Sequence, residues 1–133
     1  MQPDELRDAG SPAYWLRFAE GDLILAREQP EGVLVELLCF HAQQAVEKAI
    51  KAVLLFYGEK APRTHSIEAL VEIAAKHIEI PEIVEESTEL TLYASGTRYP
   101  GGYEPLDDFD YRDALSKAEK VVAWAKSICL QKE

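Results

Sequence analysis

Between Val33 and Tyr57 the apolar residues recur so densely that this segment has to sit among several neighbours. Leu34, Leu38, Ala42, Ala45, Ala49, Ala52, Val53 and Phe56 follow one another at steps of one to four, and on a helix they cover one broad side. Glu36, Gln43, Gln44, Glu47, Lys48 and Lys51 fall largely on the other side. An amphipathic surface helix carries a narrower stripe, so this one reads as the central helix of a bundle. Gly58 supplies its stop.

Four further helical segments surround it. Ser11 followed by Pro12 is a good N-cap with proline at the first helical position. Trp15, Phe18, Ala19, Leu23 and Ala26 then build one stripe as far as Glu28, before Pro30 and Gly32. After a loop carrying Pro62, a shorter helix is expected from about Ser66 to His77, with Ile67, Leu70, Ile73 and Ala74 on its inner side. A fourth begins after Pro81, carries Ile83, Val84, Leu90 and Tyr93, and ends near Gly96 and the run Tyr99-Pro100-Gly101-Gly102. The last starts near Asp108 or Asp110, either of which can cap it. Leu115, Ala118, Val122, Ala125 and Cys129 form its inner stripe, with Trp124 beside them. No strand-period alternation competes, and short connections favour antiparallel neighbours. The expected fold is all-α: an up-and-down antiparallel bundle of four main helices plus one shorter one, a single domain over residues 1–133.

Several function classes lose ground at once. The net charge of −10 disfavours wholesale attraction to a nucleic-acid backbone or an anionic lipid surface. A local cluster of bases can still meet nucleic acid. Met1 to Asp8 is polar, and every apolar run is broken well short of a membrane span, so a cytoplasmic protein without membrane contact is expected. Cys39 and Cys129 sit in apolar helical patterns and read as small buried hydrophobes. The histidines, cysteines and carboxylates adopt no metal-ligand spacing, Ser66, Ser87, Ser95 and Ser116 stand in no nucleophile motif, and no phosphate-binding glycine loop is present. Neither a metal nor a cofactor is expected.

What chemistry remains gathers in three places. His41, Gln44, Lys48 and Lys51 step by three or four along the central helix and line one face. They would offer imidazole, amide and two ammonium groups to a phosphate or base; as a solvated face they would instead include an ordinary Glu47–Lys51 pair. Arg98 lies in a turn beside Tyr99 and near Tyr103, where an arginine fork suits phosphate and tyrosines can stack on bases. Its bland alternatives are to hydrogen-bond the carbonyls ending the fourth helix or to form a salt bridge with Glu47 across the bundle. His65 stands beside Thr64 at the start of the third helix, whereas His77 reads as a cation at that helix's C-terminus.

The stretch Phe40-His41-Ala42-Gln43-Gln44-Ala45-Val46-Glu47-Lys48-Ala49-Ile50-Lys51-Ala52 resembles the signature second helix of the HEPN family. Three further pieces match in order: Asp22-Leu23 in the first helix, Thr64-His65-Ser66-Ile67 with Leu70 opening the third, and Leu90 and Tyr93 ahead of Thr97-Arg98-Tyr99-Pro100. The resemblance covers about Ala19 to Pro100. It implies a helical bundle that forms a homodimer and acts beside a minimal nucleotidyltransferase, as half of a toxin–antitoxin pair or as a substrate-binding subunit. Many members are metal-independent ribonucleases using an arginine and, a few residues later, a histidine. Arg98 matches the arginine as the candidate catalytic residue, but Tyr103, Glu104 and Pro105 stand where the histidine should be. That departure argues against ribonuclease chemistry.

Three readings follow. The preferred one is a non-catalytic module binding nucleotide or RNA through His41, Gln44, Lys48, Lys51, His65, Arg98, Tyr99 and Tyr103. The second is a ribonuclease in which Arg98 stabilises the developing charge and Tyr103, His65 or His41 replaces the missing histidine. The third is a purely structural dimer built on Leu92, Tyr93, Tyr99 and Tyr103. The resemblance also makes Tyr99 or Tyr103 a candidate acceptor for a nucleotide attached by the partner enzyme.

Overall fold

The computed structural model describes residues 10–94 and 105–130, and every regular element among them is helical. Helix α1 spans Pro12–Glu28, with the Ser11 hydroxyl accepting from the Ala13 amide at 3.1 Å and Pro12 in the first turn. Helix α2 spans Val35–Phe56. It closes where Gly58 takes φ 84 and the Glu59 amide reaches back to the Leu54 carbonyl at 2.9 Å, a left-handed ending that favours glycine. Helix α3 spans Ile67–Ala74 and is capped by Ser66, whose hydroxyl accepts from Ala69 N–H.

The expected fourth helix is split. Helix α4 is short, Glu82–Glu86, and runs directly into a 3₁₀ segment, Ser87–Tyr93. The Ser87 hydroxyl donates to Val84 O at 2.6 Å and the Thr88 hydroxyl to Glu85 O at 2.8 Å. Such side chains compete for the carbonyls of the preceding turn and favour its tightening. Helix α5 spans Asp108–Cys129. Its cap is Asp107, one residue before the expected Asp108, while Asp110 supplies the returning half of a capping box. The turn preceding Asp107 is tied to α2 through the Leu106 amide and the Glu36 carboxylate, 3.0 Å apart.

Helix α2 touches α1, α3, α5 and the 3₁₀ segment, as its broad apolar side demands. Ala42, Ala45, Ala49 and Ala52 are fully buried, as are Ala19 and Ala26 of α1 and Ala114, Ala118 and Ala125 of α5. Small residues at these positions let the helix axes approach closely, and Leu38, Ile50, Leu54, Leu70 and Val121 fill the spaces between layers. On α5 the buried stripe comprises Tyr111, Ala114, Ala118, Val121, Val122, Ala125 and Ile128; the expected Leu115 and Cys129 are half-buried at its edge. The Tyr111 hydroxyl donates to the Ala26 carbonyl at 2.7 Å, stitching α5 to α1. Both cysteines are free thiols, and burial pushes Cys39 up to about 12 and Cys129 to about 11. No helix among the described residues is long and apolar enough to cross a membrane.

Candidate functional site

Because α2 is surrounded, even its polar side is covered. Gln43, Gln44, Glu47 and Lys51 are all buried, so the solvated face of the alternative reading does not form, and Gln44 and Lys51 do not stand open to a ligand either. Burying them is tolerable only if each finds a partner, and the Glu47 carboxylate is the hub that provides for that. Glu47 Oε1 accepts from Gln43 Nε2 at 3.0 Å, from Gln44 Nε2 at 3.4 Å, and lies 2.9 Å from His65 Nδ1. Its Oε2 accepts from Lys51 Nζ at 2.9 Å. Gln44 Nε2 also donates to Gln43 Oε1 at 2.7 Å, and Gln43 makes a long 3.5 Å contact to the His65 carbonyl. Burial pulls the Glu47 carboxyl upward, but the hydrogen bonds from Lys51, His65 and Gln43 outweigh it and hold the group below its ordinary value.

The second carboxylate comes from α1. Asp22 lies on that helix's buried stripe between Ala19 and Ala26, and its two oxygens face α2. Oδ1 is 3.0 Å from His41 Nδ1 and Oδ2 accepts from Lys48 Nζ at 2.8 Å. Aromatic faces complete the lodging of both ammonium groups. Lys48 Nζ lies 5.2 Å from the Phe18 ring centre, and Lys51 Nζ lies 5.4 Å from that of Trp15.

Five of the eight residues singled out in the sequence are therefore brought together: His41 and Lys48 on Asp22, and Gln44, Lys51 and His65 on Glu47. The expected pair Glu47–Lys51 forms, but inside the protein. The accessible edge of the constellation consists of Lys48, His41 and His65, whose side chains are 20%, 29% and 69% exposed. Arg98, Tyr99 and Tyr103 lie outside the described residues. Sequence reasoning missed Asp22 and Gln43 as members, and read Glu47 as half of a surface pair with Lys51. Asp22 carried a signal, an acid at the spacing of an apolar stripe, which marks a buried charge in need of a counter-charge.

The remaining candidates sit elsewhere. His77, just past α3, stacks on Tyr57 with ring centres 5.2 Å apart and contacts Glu59 through Nε2 at 2.7 Å. That is a clamp on the loop after α2. Leu92 is exposed, whereas Tyr93 packs half-buried against the core and its phenol is pushed up to about 12 by burial.

An all-α bundle whose central helix carries a charged and amide-rich seam against the first helix and the loop before the third defines the class. Within that class the chain belongs to the HEPN family: the HEPN domain model matches residues 13–128. The fold is similar to the crystal structure of TT1696 from Thermus thermophilus, with 29% identity, a TM-score of 0.76, and coverage of 87% of this chain and 96% of that one. It is similar too to ST0689, an archaeal HEPN homologue, with 29% identity, a TM-score of 0.70, and coverage of 88% and 96%. No curated protein matches it.

Proposed function

We propose that this HEPN chain is a non-catalytic, dimeric module that binds a nucleotide or RNA strand and presents it to a minimal nucleotidyltransferase. The observation that carries the reading is the accessible edge formed by His41, Lys48 and His65, three nitrogen-bearing side chains oriented from behind by the Asp22 and Glu47 carboxylates. Orientation of this kind lowers the ordering cost of binding. Gln44 and Lys51 act as the buried support, and Arg98, Tyr99 and Tyr103 would supply a phosphate fork and stacking surfaces. Within the seam the two lysines balance the two carboxylates, so the base edge contributes to recognition beside the phosphate, and binding does not rest on charge alone. Co-expression with a minimal nucleotidyltransferase from the same genome is expected to give one complex eluting together at micromolar concentration. Separate elution of the two proteins would sink the pairing.

One observation favours a second reading, the ribonuclease with a relocated base. His41 and His65 each meet a carboxylate through Nδ1, the arrangement that fixes a tautomer and aims Nε2 outward for proton transfer. In that reading Nε2 of one of them replaces the histidine missing after Arg98.

A further inference from the structure

Beside the Asp22–Lys48 bridge, α1 turns an aromatic and apolar stripe outward. Tyr14, Phe18, Gly21 and Leu25 follow one another at steps of four, three and four, and so share one side of the helix. Phe18 is 46% and Leu25 49% exposed, and Gly21 between them is exposed too. A β-carbon at Gly21 would meet no atom of the described residues within 4 Å, so the packing of α1 does not call for glycine there. Glycine inside a helix weakens it relative to alanine. The bareness of this spot therefore points to something that lies outside the bundle.

The Phe18 ring is held in place. Tyr14 meets it edge-on with ring centres 5.0 Å apart, and Lys48 Nζ lies 5.2 Å from its centre. Helical side chains lean toward the N-terminus, so Phe18 covers the turn of Tyr14 and leaves the surface over Gly21 open as far as Leu25. An open floor between a fixed aromatic ring and a leucine suits a flat, apolar-faced group. The polar edge of the same place says which one. Lys48 gives one of its three donors to Asp22 at 2.8 Å, and His41 stands on the same carboxylate. A nucleotide carries its phosphate one sugar away from its base, so a base resting on Phe18 brings a phosphate within reach of the Lys48 ammonium. An apolar protein surface laid on the stripe would strip water from Lys48 and His41 and return no hydrogen bond; a phosphate returns them. The stripe from Tyr14 to Leu25 runs roughly 16 Å along the axis, which favours a strand over a single nucleotide.

We infer that Phe18, Gly21 and Leu25 form a stacking shelf for one base of a single-stranded RNA whose phosphate meets Lys48. The inference rests on the RNA-binding reading proposed above and adds to it a subsite on α1. Stacking uses the face that every base has, so the shelf adds affinity without sequence preference.

The test is fluorescence anisotropy at low salt with a short labelled single-stranded RNA and with an abasic strand of the same length. Far-ultraviolet circular dichroism and thermal unfolding check each variant's fold. Phe18→Ala should weaken RNA binding about tenfold, the loss of one base–aromatic stack, and should leave binding of the abasic strand unchanged. Phe18→Trp should keep the parent's affinity. Gly21→Leu fills the floor with a better helix former at an exposed position, so it should raise the Tm while weakening RNA binding several-fold. Opposite signs of that kind are not produced by a merely structural role. RNA affinity equal to the parent's in both Phe18→Ala and Gly21→Leu overturns the shelf and leaves the RNA-binding edge standing. An equal loss on the RNA and abasic strands means that Phe18 acts only by holding Lys48, which overturns the shelf as well. A parent that binds neither strand overturns the shelf and the proposed function together.

Discussion

Replacing Glu47 by alanine is expected to destabilise the fold by about 3–5 kcal/mol, the usual cost of removing one partner from a buried charge pair. The substitution leaves the Lys51 ammonium buried beside Trp15 with no counter-charge, and it removes the acceptor shared by Gln43, Gln44 and His65. In a chain of this length the Tm should fall by roughly 10 °C or more, read by thermal unfolding. Glu47→Gln keeps the volume and some of the hydrogen bonds, so it should fall between the parent and alanine. A pH dependence follows from the lowered carboxyl. The unfolded chain protonates Glu47 first as the solution is acidified. The stabilisation is therefore complete above the ordinary glutamate range, about 4.3, and drains away as pH falls from there through the depressed folded value. The Glu47→Gln variant should show a flatter stability curve over that window; an unchanged slope would mean that Glu47 is not the hub described.

Asp22→Ala is expected to act in two opposite directions. It deprives Lys48 and His41 of their shared carboxylate between α1 and α2, and should cost about 2–3 kcal/mol, less than Glu47 because Lys48 and His41 keep partial access to water. The same change frees one ammonium and one imidazole at the accessible edge. At low salt the variant should therefore bind single-stranded RNA several-fold more tightly than the parent. Weaker binding by a folded variant would instead mean that the orientation Asp22 gives Lys48 and His41 counts for more than the charge it neutralises.

How much of this was legible depended on which rule dominated each residue. The breadth of the apolar side on α2 announced a surrounded helix, and the cap at Ser11 and the stop at Gly58 read directly because they are local backbone requirements. The same breadth should have warned that Gln43 and Glu47 would be covered too, since a helix met by four neighbours has no solvated side. Periodicity assigns faces but does not say what lies opposite them. Asp22 shows that limit. Its place on the α1 stripe is visible in the sequence, but its pairing with Lys48, 26 positions away, depends on the register of α1 against α2. The Asp107–Asp110 box was missed by one residue because several closely spaced aspartates can cap the same turn. The split of the fourth helix at Ser87 was audible only in the run of hydroxyls that competes with its backbone.

His41, Lys48 and His65 are proposed to present an oriented edge for nucleotide or RNA without cutting it, and everything else in the functional reading depends on that edge. Fluorescence anisotropy of a labelled, mixed single-stranded RNA pool without added metal, followed by a denaturing gel, tests it with the parent beside Lys48→Ala. The expected result is saturable binding by the parent, at least several-fold weaker binding by the variant, and RNA recovered intact from both. Equal binding by the two proteins, or none by the parent, would contradict it.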